Sequence, residues 1–155
     1  MRKANYDKFP STKLTGMLVQ GWDSIISMLK EKMDARKVLA VDLYTGVYEE
    51  EVLGAFSKEF SGRVMNVRDL MKPEKEIQAL TERFMTEDVL FGYVTNLKLE
   101  DYLDADKVAA ARKQISEAKE TIVIIGTGAA VVAPQDAMVV YACLLYTSPS
   151  PRDCS

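Results

Sequence analysis

The sequence predicts a three-layer α/β domain in which helices flank a mostly parallel sheet of about five strands. Short apolar runs of strand length alternate along the chain with amphipathic segments of helical length, which is typical of this fold class. Two of the runs, residues 37–44 and 121–125, are almost continuously apolar. Such runs are expected where a strand is buried on both faces of a parallel sheet.

The helices are predicted from apolar residues that recur at helical spacing. A stripe begins at Trp22, and a second helix starts at the acidic run 49–51, which suits a positive helix N-terminus. Pro73 is well placed for the first turn of a third helix, and Asp104 can cap a fourth. The expected inward-facing residues are Ile25, Ile26, Leu29 and Met33, then Val52, Leu53, Phe56 and Phe60, then Ile77, Leu80 and Phe84, and finally Val108, Ala111, Ile115 and Ala118.

The predicted strands are short runs rich in β-branched and aromatic residues. Residues 121–125 form the strongest of them, and residues 89–94 are expected to be a central strand because both of their faces are apolar. The five predicted strands are residues 37–44, 63–67, 89–94, 121–125 and 137–141.

Three segments are expected along the chain: an N-terminal arm (residues 1–21), the α/β domain (22–142) and a non-native tail (143–155). The tail resembles the in-frame translation of a sequencing adapter. It is therefore not expected to be part of the folded domain. Cys143 and Cys154 both lie in it, so neither a disulfide nor a metal site is expected from them. We therefore expect the domain to be truncated near Ala142, with its sheet incomplete.

Composition excludes several function classes. The chain has no histidine, so Ser-His-Asp and Cys-His catalysis cannot be built from it, and the usual zinc ligand sets are missing. Its net charge is −3 and no basic stripe is present, so nucleic acid is not an expected partner. No apolar run has the roughly 18 residues of a membrane helix, and a signal peptide is not expected because the first residues lack its apolar core. A cytoplasmic protein without membrane contact is expected.

The candidate ligand-binding residues follow the first strand and the strongest strand. Gly126, Thr127 and Gly128 form a Gly-x-Gly turn that partly matches a dinucleotide-binding loop. Val131 departs from that pattern, and a lone Gly-x-Gly is more often an ordinary tight turn. Asp42, at the end of the first strand, could orient a ligand hydroxyl or simply bond within its own turn.

No catalytic or metal-binding residue is predicted. The turn after Asp42 lacks a Gly-Lys-Ser/Thr ending, and glutamates at the following helix start would repel a phosphate. The acidic clusters at Glu49–Glu51, Glu100–Asp101 and Asp104–Asp106 could supply oxygen ligands for a hard cation. They are interpreted instead as solvated helix starts.

The chain resembles the N-terminal domain of large bacterial proteins of the class I mannose-6-phosphate isomerase type. The resemblance is carried by residues 4–10 (ANYDKFP), 20–22 (QGW), 41–47 (VDLYTGV), 123–129 (VIIGTGA) and 139–142 (VVYA). It implies a Rossmann-like or degenerate P-loop-kinase-like module that precedes a cupin barrel. That missing barrel would hold the zinc and interconvert mannose 6-phosphate and fructose 6-phosphate, so no cofactor is expected in this chain.

Three functions remain open at this point. The leading hypothesis is a non-catalytic domain that binds a phosphorylated small molecule, or regulates and docks the missing C-terminal domain of the same chain. The second is a nucleotide-binding domain like that of a small-molecule kinase. The third is a pure scaffold.

Overall fold

The computed structural model describes residues 15–33, 37–88 and 90–143, and strands and helices alternate through these ranges. The strands are β1 (Val38–Leu43), β2 (Arg63–Asn66), β3 (Ile122–Gly126) and β4 (Met138–Ala142). The α-helices are α1 (Trp22–Met33), α2 (Glu49–Glu59), α3 (Glu74–Glu82), α4 (Ala105–Glu117) and α5 (Ala129–Val132), and 3-10 helices span Val67–Leu70 and Leu99–Tyr102.

The four strands form one parallel sheet in the order β2-β3-β1-β4. All of β3 is buried, and in β1 only Asp42 is less than fully buried. This burial explains why both sequences are continuously apolar, since helices cover both faces of a parallel sheet. The predicted α/β class with a mostly parallel sheet is confirmed.

Helices cover the sheet on both sides, so the domain has three layers. Alternate residues of β1 point to opposite faces. Leu39, Val41 and Leu43 pack with α1 and α2, which form the first helical layer. Val38 and Ala40 pack with α4 and α5 in the second helical layer.

The helix predictions are confirmed, although α3 differs in its burial. The Asp104 carboxylate caps α4 as predicted, because its Oδ1 accepts hydrogen bonds from the backbone N–H groups of Asp106 (3.0 Å) and Lys107 (3.2 Å). In α3 no residue is fully buried. Its apolar stripe is only half-buried, because this helix lies outside the two core clusters.

The prediction of a central strand at residues 89–94 is wrong for its described part, residues 90–94. These residues are irregular and exposed, and their large apolar side chains are exposed to between 71% (Tyr93) and 97% (Val94). The β2 and β1 strands already pair with the two edges of β3, so no central position is left for a fifth strand. Local bonds hold the segment instead: Tyr93 N–H donates to Phe84 O at 2.9 Å, and the Asp88 carboxylate accepts from Leu90 N–H at 2.8 Å.

Two sequence predictions fall largely outside the described residues. Residues 1–14 of the predicted arm and residues 144–155 of the predicted tail are not described. Among the residues that are described, no helix combines the length and apolar character needed to cross a bilayer.

Candidate functional site

The ends of β1 and β3 form the position at which ligands gather in open α/β sheets. After β1 the chain enters α2, which packs in the first helical layer. After the neighbouring β3 it enters α5, on the opposite face. Adjacent strands whose connections leave to opposite sides create a crevice at their carboxyl ends. The predicted ligand-binding residues all lie at this crevice.

Asp42 bonds directly to the Gly-x-Gly turn. It is the register partner of Gly126, and its Oδ1 accepts a hydrogen bond from Gly128 N–H at 3.0 Å. Its Oδ2 accepts from Ala130 N–H, also at 3.0 Å. A third bond joins the same two strand ends, because the Thr127 hydroxyl donates to Leu43 O at 2.9 Å. The structure therefore brings the four predicted residues together, as partners of one another.

The two glycines meet the steric demands of the turn. Gly128 has a φ of +86°, in the left-handed region that side chains disfavour. Gly126 has a φ of +137°, and a Cβ atom there would lie 2.8 Å from the Cβ of Val67. Both positions thus require glycine without any ligand, which accounts for the motif as a tight turn packed against the core.

The bonds of Asp42 decide what the turn can bind. A phosphate at such a loop is held by free backbone N–H groups near a helix N-terminus. Here a carboxylate already accepts from two of those groups. Two like charges 4 Å apart repel by about 1 kcal/mol in water and about 4 kcal/mol near a protein surface. The negative charge of the Asp42 carboxylate therefore disfavours the binding of a phosphate at this position.

A pair of tyrosines extends the crevice toward β4. Tyr141 is the register partner of Asp42, and its ring meets that of Tyr44 edge-to-face with centroids 6.5 Å apart. Partial desolvation, followed by the charges of Cys143, Tyr44 and Asp42, raises the pKa of the Tyr141 phenol above its ordinary value. Sequence reasoning missed this pair, for which the only signal was an aromatic residue at the end of each strand.

One known family model matches nearly the whole of the described domain. The family model described as Domain of unknown function (DUF8485) matches residues 21–144. The chain belongs to this family. Asp42 and the Gly126–Gly128 turn both lie inside the matched range, so the crevice is part of the DUF8485 domain. No curated protein and no solved structure gives a significant match to the chain.

A second polar cluster of the DUF8485 domain joins α2 to the end of β2. Glu49 Oε1 accepts from the Asn66 side-chain amide at 2.7 Å, and its Oε2 lies 3.3 Å from the Arg68 guanidinium. Asn66 in turn accepts from Arg68 N–H at 2.8 Å. Glu51 accepts from the Trp22 indole N–H at 3.0 Å. Glu49 is therefore half-buried and fastens neighbouring elements, whereas Glu50 and Glu51 are exposed, as predicted for a solvated helix start.

The carboxylates of the DUF8485 domain are not gathered as metal ligands. Within the described ranges, no group of three or more His, Cys, Asp or Glu side chains is placed to hold a metal ion. Asp42 and Glu49 instead accept hydrogen bonds from groups within the domain.

A cavity of about 540 Å³ lies at the opposite, amino end of the sheet. It is bounded by Val38 at the start of β1, by Arg112 and Ile115 on α4, and by Pro134 after α5. Arg112 is already engaged there, because its Nη2 donates to Val131 O at 2.7 Å. None of the predicted ligand-binding residues lines this cavity.

Proposed function

We propose that this chain is a non-catalytic α/β domain that docks or regulates other parts of a larger sugar-phosphate isomerase-like protein. The single observation that carries the non-catalytic assignment is the pair of hydrogen bonds from Gly128 and Ala130 to Asp42. They use the polar groups that a ligand at the crevice would need. The parent reaction, interconversion of mannose 6-phosphate and fructose 6-phosphate with zinc in another domain, is inferred from the sequence resemblance.

The chemistry of the chain agrees with a non-catalytic role. It has no histidine to serve as a general base or zinc ligand. The other polar groups at the carboxyl edge, such as Glu49 and Asn66, bond to each other. This hydrogen bond holds α2 against the end of β2, so neither side chain is free to bind a ligand through the same atoms. A cytoplasmic location is part of the proposal, on account of the mildly acidic, soluble composition of the sequence.

The alternative function is a nucleotide-binding, kinase-like domain, or one that binds a phosphorylated small molecule. The observation that favours it is the location of the Gly126–Gly128 turn at the switch point of the sheet. Binding there would require the Asp42 carboxylate to move away from Gly128 and Ala130. That movement would cost the domain the two hydrogen bonds that Asp42 makes to the turn after β3.

Calorimetric titration of the 155-residue chain with ATP and with mannose 6-phosphate separates these functions. We expect no saturable heat from either ligand, and no isomerase turnover when zinc is added. Saturable ATP binding that is lost in Gly128→Val but kept in Gly54→Ala would establish the kinase-like alternative. Gly54 is a suitable control because it lies in α2, where an added Cβ would meet no atom within 4 Å. Isomerase turnover by this chain would refute the non-catalytic assignment.

A further inference from the structure

The two edge strands of the sheet differ in how they are protected. Within the described part of the chain, β4 pairs only with β1, so its outer edge is open. The β4 sequence, MVVYA, contains no charged residue and no proline. The opposite edge strand, β2, carries the exposed Arg63 and is only four residues long. Charges and short length are the usual means by which proteins prevent edge pairing, and β4 has no charge.

The hydrogen-bonding groups on the open edge of β4 belong to Val139 and Tyr141. Ala142 O accepts from Tyr44 N–H at 2.9 Å, so the backbone groups of Ala142 face β1. Alternate residues of a strand direct their N–H and C=O groups to opposite edges. Val140 therefore also faces β1, whereas Val139 and Tyr141 direct their N–H and C=O groups away from the sheet.

The same two residues expose apolar surface. Their side chains point to the face of the second helical layer and are 54% and 60% exposed. The intervening residues, Met138, Val140 and Ala142, pack against the first helical layer. The outer edge of β4 thus combines open backbone groups with uncovered apolar side chains.

We propose that this edge binds the β4 strand of a second copy of the chain in antiparallel orientation, with Val140 opposite Val140 at the two-fold axis. In this register Val139 of each copy lies opposite Tyr141 of the other. Both residues then exchange their N–H and C=O groups as a hydrogen-bonded pair. All outward-facing groups of Val139 and Tyr141 are satisfied at once, so the strand is its own complement.

Side-chain size also fits self-pairing in this register. On the exposed face an aromatic residue, Tyr141, meets a β-branched one, Val139, and such cross-strand pairs are favourable. On the other face, the long side chain of Met138 meets the small one of Ala142. No like charges meet, because β4 has none. This inference concerns the assembly of the domain and is independent of the proposed function.

Sedimentation equilibrium of the 155-residue chain over a range of concentrations tests the proposal. We expect a monomer–dimer equilibrium that Val139→Lys and Tyr141→Glu, made separately, each weaken about tenfold through two symmetry-related pairs. An equimolar mixture of these two variants should recover association, since the register places the introduced lysine opposite the introduced glutamate. Leu90→Lys is the matched control. It introduces the same charge at an exposed apolar residue outside β4 and should not change association.

Three outcomes would overturn the proposal: a monomeric parent chain at every concentration, unchanged dimers in both variants, or a mixture that stays as weak as its components. The first would show that β4 does not self-pair, and the last would refute the register centred on Val140. Both positions are more than half exposed, so the variants are expected to fold. Circular dichroism checks this, and either variant alone suffices for the comparison of dimer strength.

Discussion

The carboxylate of Asp42 accepts the backbone N–H of Gly128 at 3.0 Å, across 86 positions of sequence. With the second bond from Ala130, it fastens the carboxyl ends of the two central strands to each other. A side chain from β1 thereby satisfies N–H groups at the start of α5, as an N-cap residue ordinarily does for its own helix. The crevice at the switch point of the sheet is closed from within by this relationship.

Replacement of Asp42 by alanine should destabilise the domain by about 1 to 2 kcal/mol, because it leaves the Gly128 and Ala130 N–H groups without their acceptor. Asp42→Asn keeps one oxygen acceptor and should cost less. Urea unfolding followed by circular dichroism measures both. Asp136→Ala is the control, expected to change stability by less than about 0.5 kcal/mol. Equal stability of Asp42→Ala and the parent chain would show that the two bonds contribute nothing.

Glycine-to-alanine substitutions should have opposite effects at two positions. Gly128→Ala places a side chain at a φ of +86° and should destabilise the domain by about 1 to 2 kcal/mol. Gly54→Ala, within α2 and with no atom near the added Cβ, should stabilise it by about 0.5 to 1 kcal/mol. Thermal unfolding of the two variants side by side gives both signs. A neutral Gly128→Ala would contradict the left-handed turn.

The sequence was sufficient to predict the elements whose burial determines their composition. The β1 and β3 strands and the stripe of α1 are apolar because of where they lie, so periodicity alone locates them. Asp104 was predictable as a cap because its partners are two and three residues away. By contrast, the Asp42–Gly128 bond depends on the register of β1 against β3, which no local pattern contains. Residues 90–94 show the same limit, since β propensity does not reveal whether a strand position is free.

The exposed segment should tolerate substitutions that the core does not. Phe91 is 72% exposed, whereas Phe56 is 2% exposed and packs against Phe60. We expect Phe91→Ala to change the free energy of unfolding by less than about 0.5 kcal/mol, and Phe56→Ala to cost about 3 to 5 kcal/mol. Chemical unfolding of both variants checks this. A large loss for Phe91→Ala would restore the idea that residues 89–94 form a core strand.

The raised pKa of Tyr141 predicts a loss of stability at alkaline pH. The folded chain holds the phenolic proton to a higher pH than the unfolded chain does, so the stabilisation is full below the ordinary tyrosine pKa and declines as pH rises through the raised value. The free energy of unfolding of the parent chain should therefore fall relative to Tyr141→Phe over this window. A difference that does not change with pH would contradict the shift.

The most direct test of the closed crevice is the ¹H–¹⁵N NMR signal of Gly128, followed with that of Ala130 while ATP or mannose 6-phosphate is added to millimolar concentration. If Asp42 occupies these N–H groups as the structure shows, both signals should stay unchanged in the parent chain. A saturable shift of the Gly128 signal with either ligand would show that the turn releases Asp42 and binds phosphate, and would contradict a crevice closed from within.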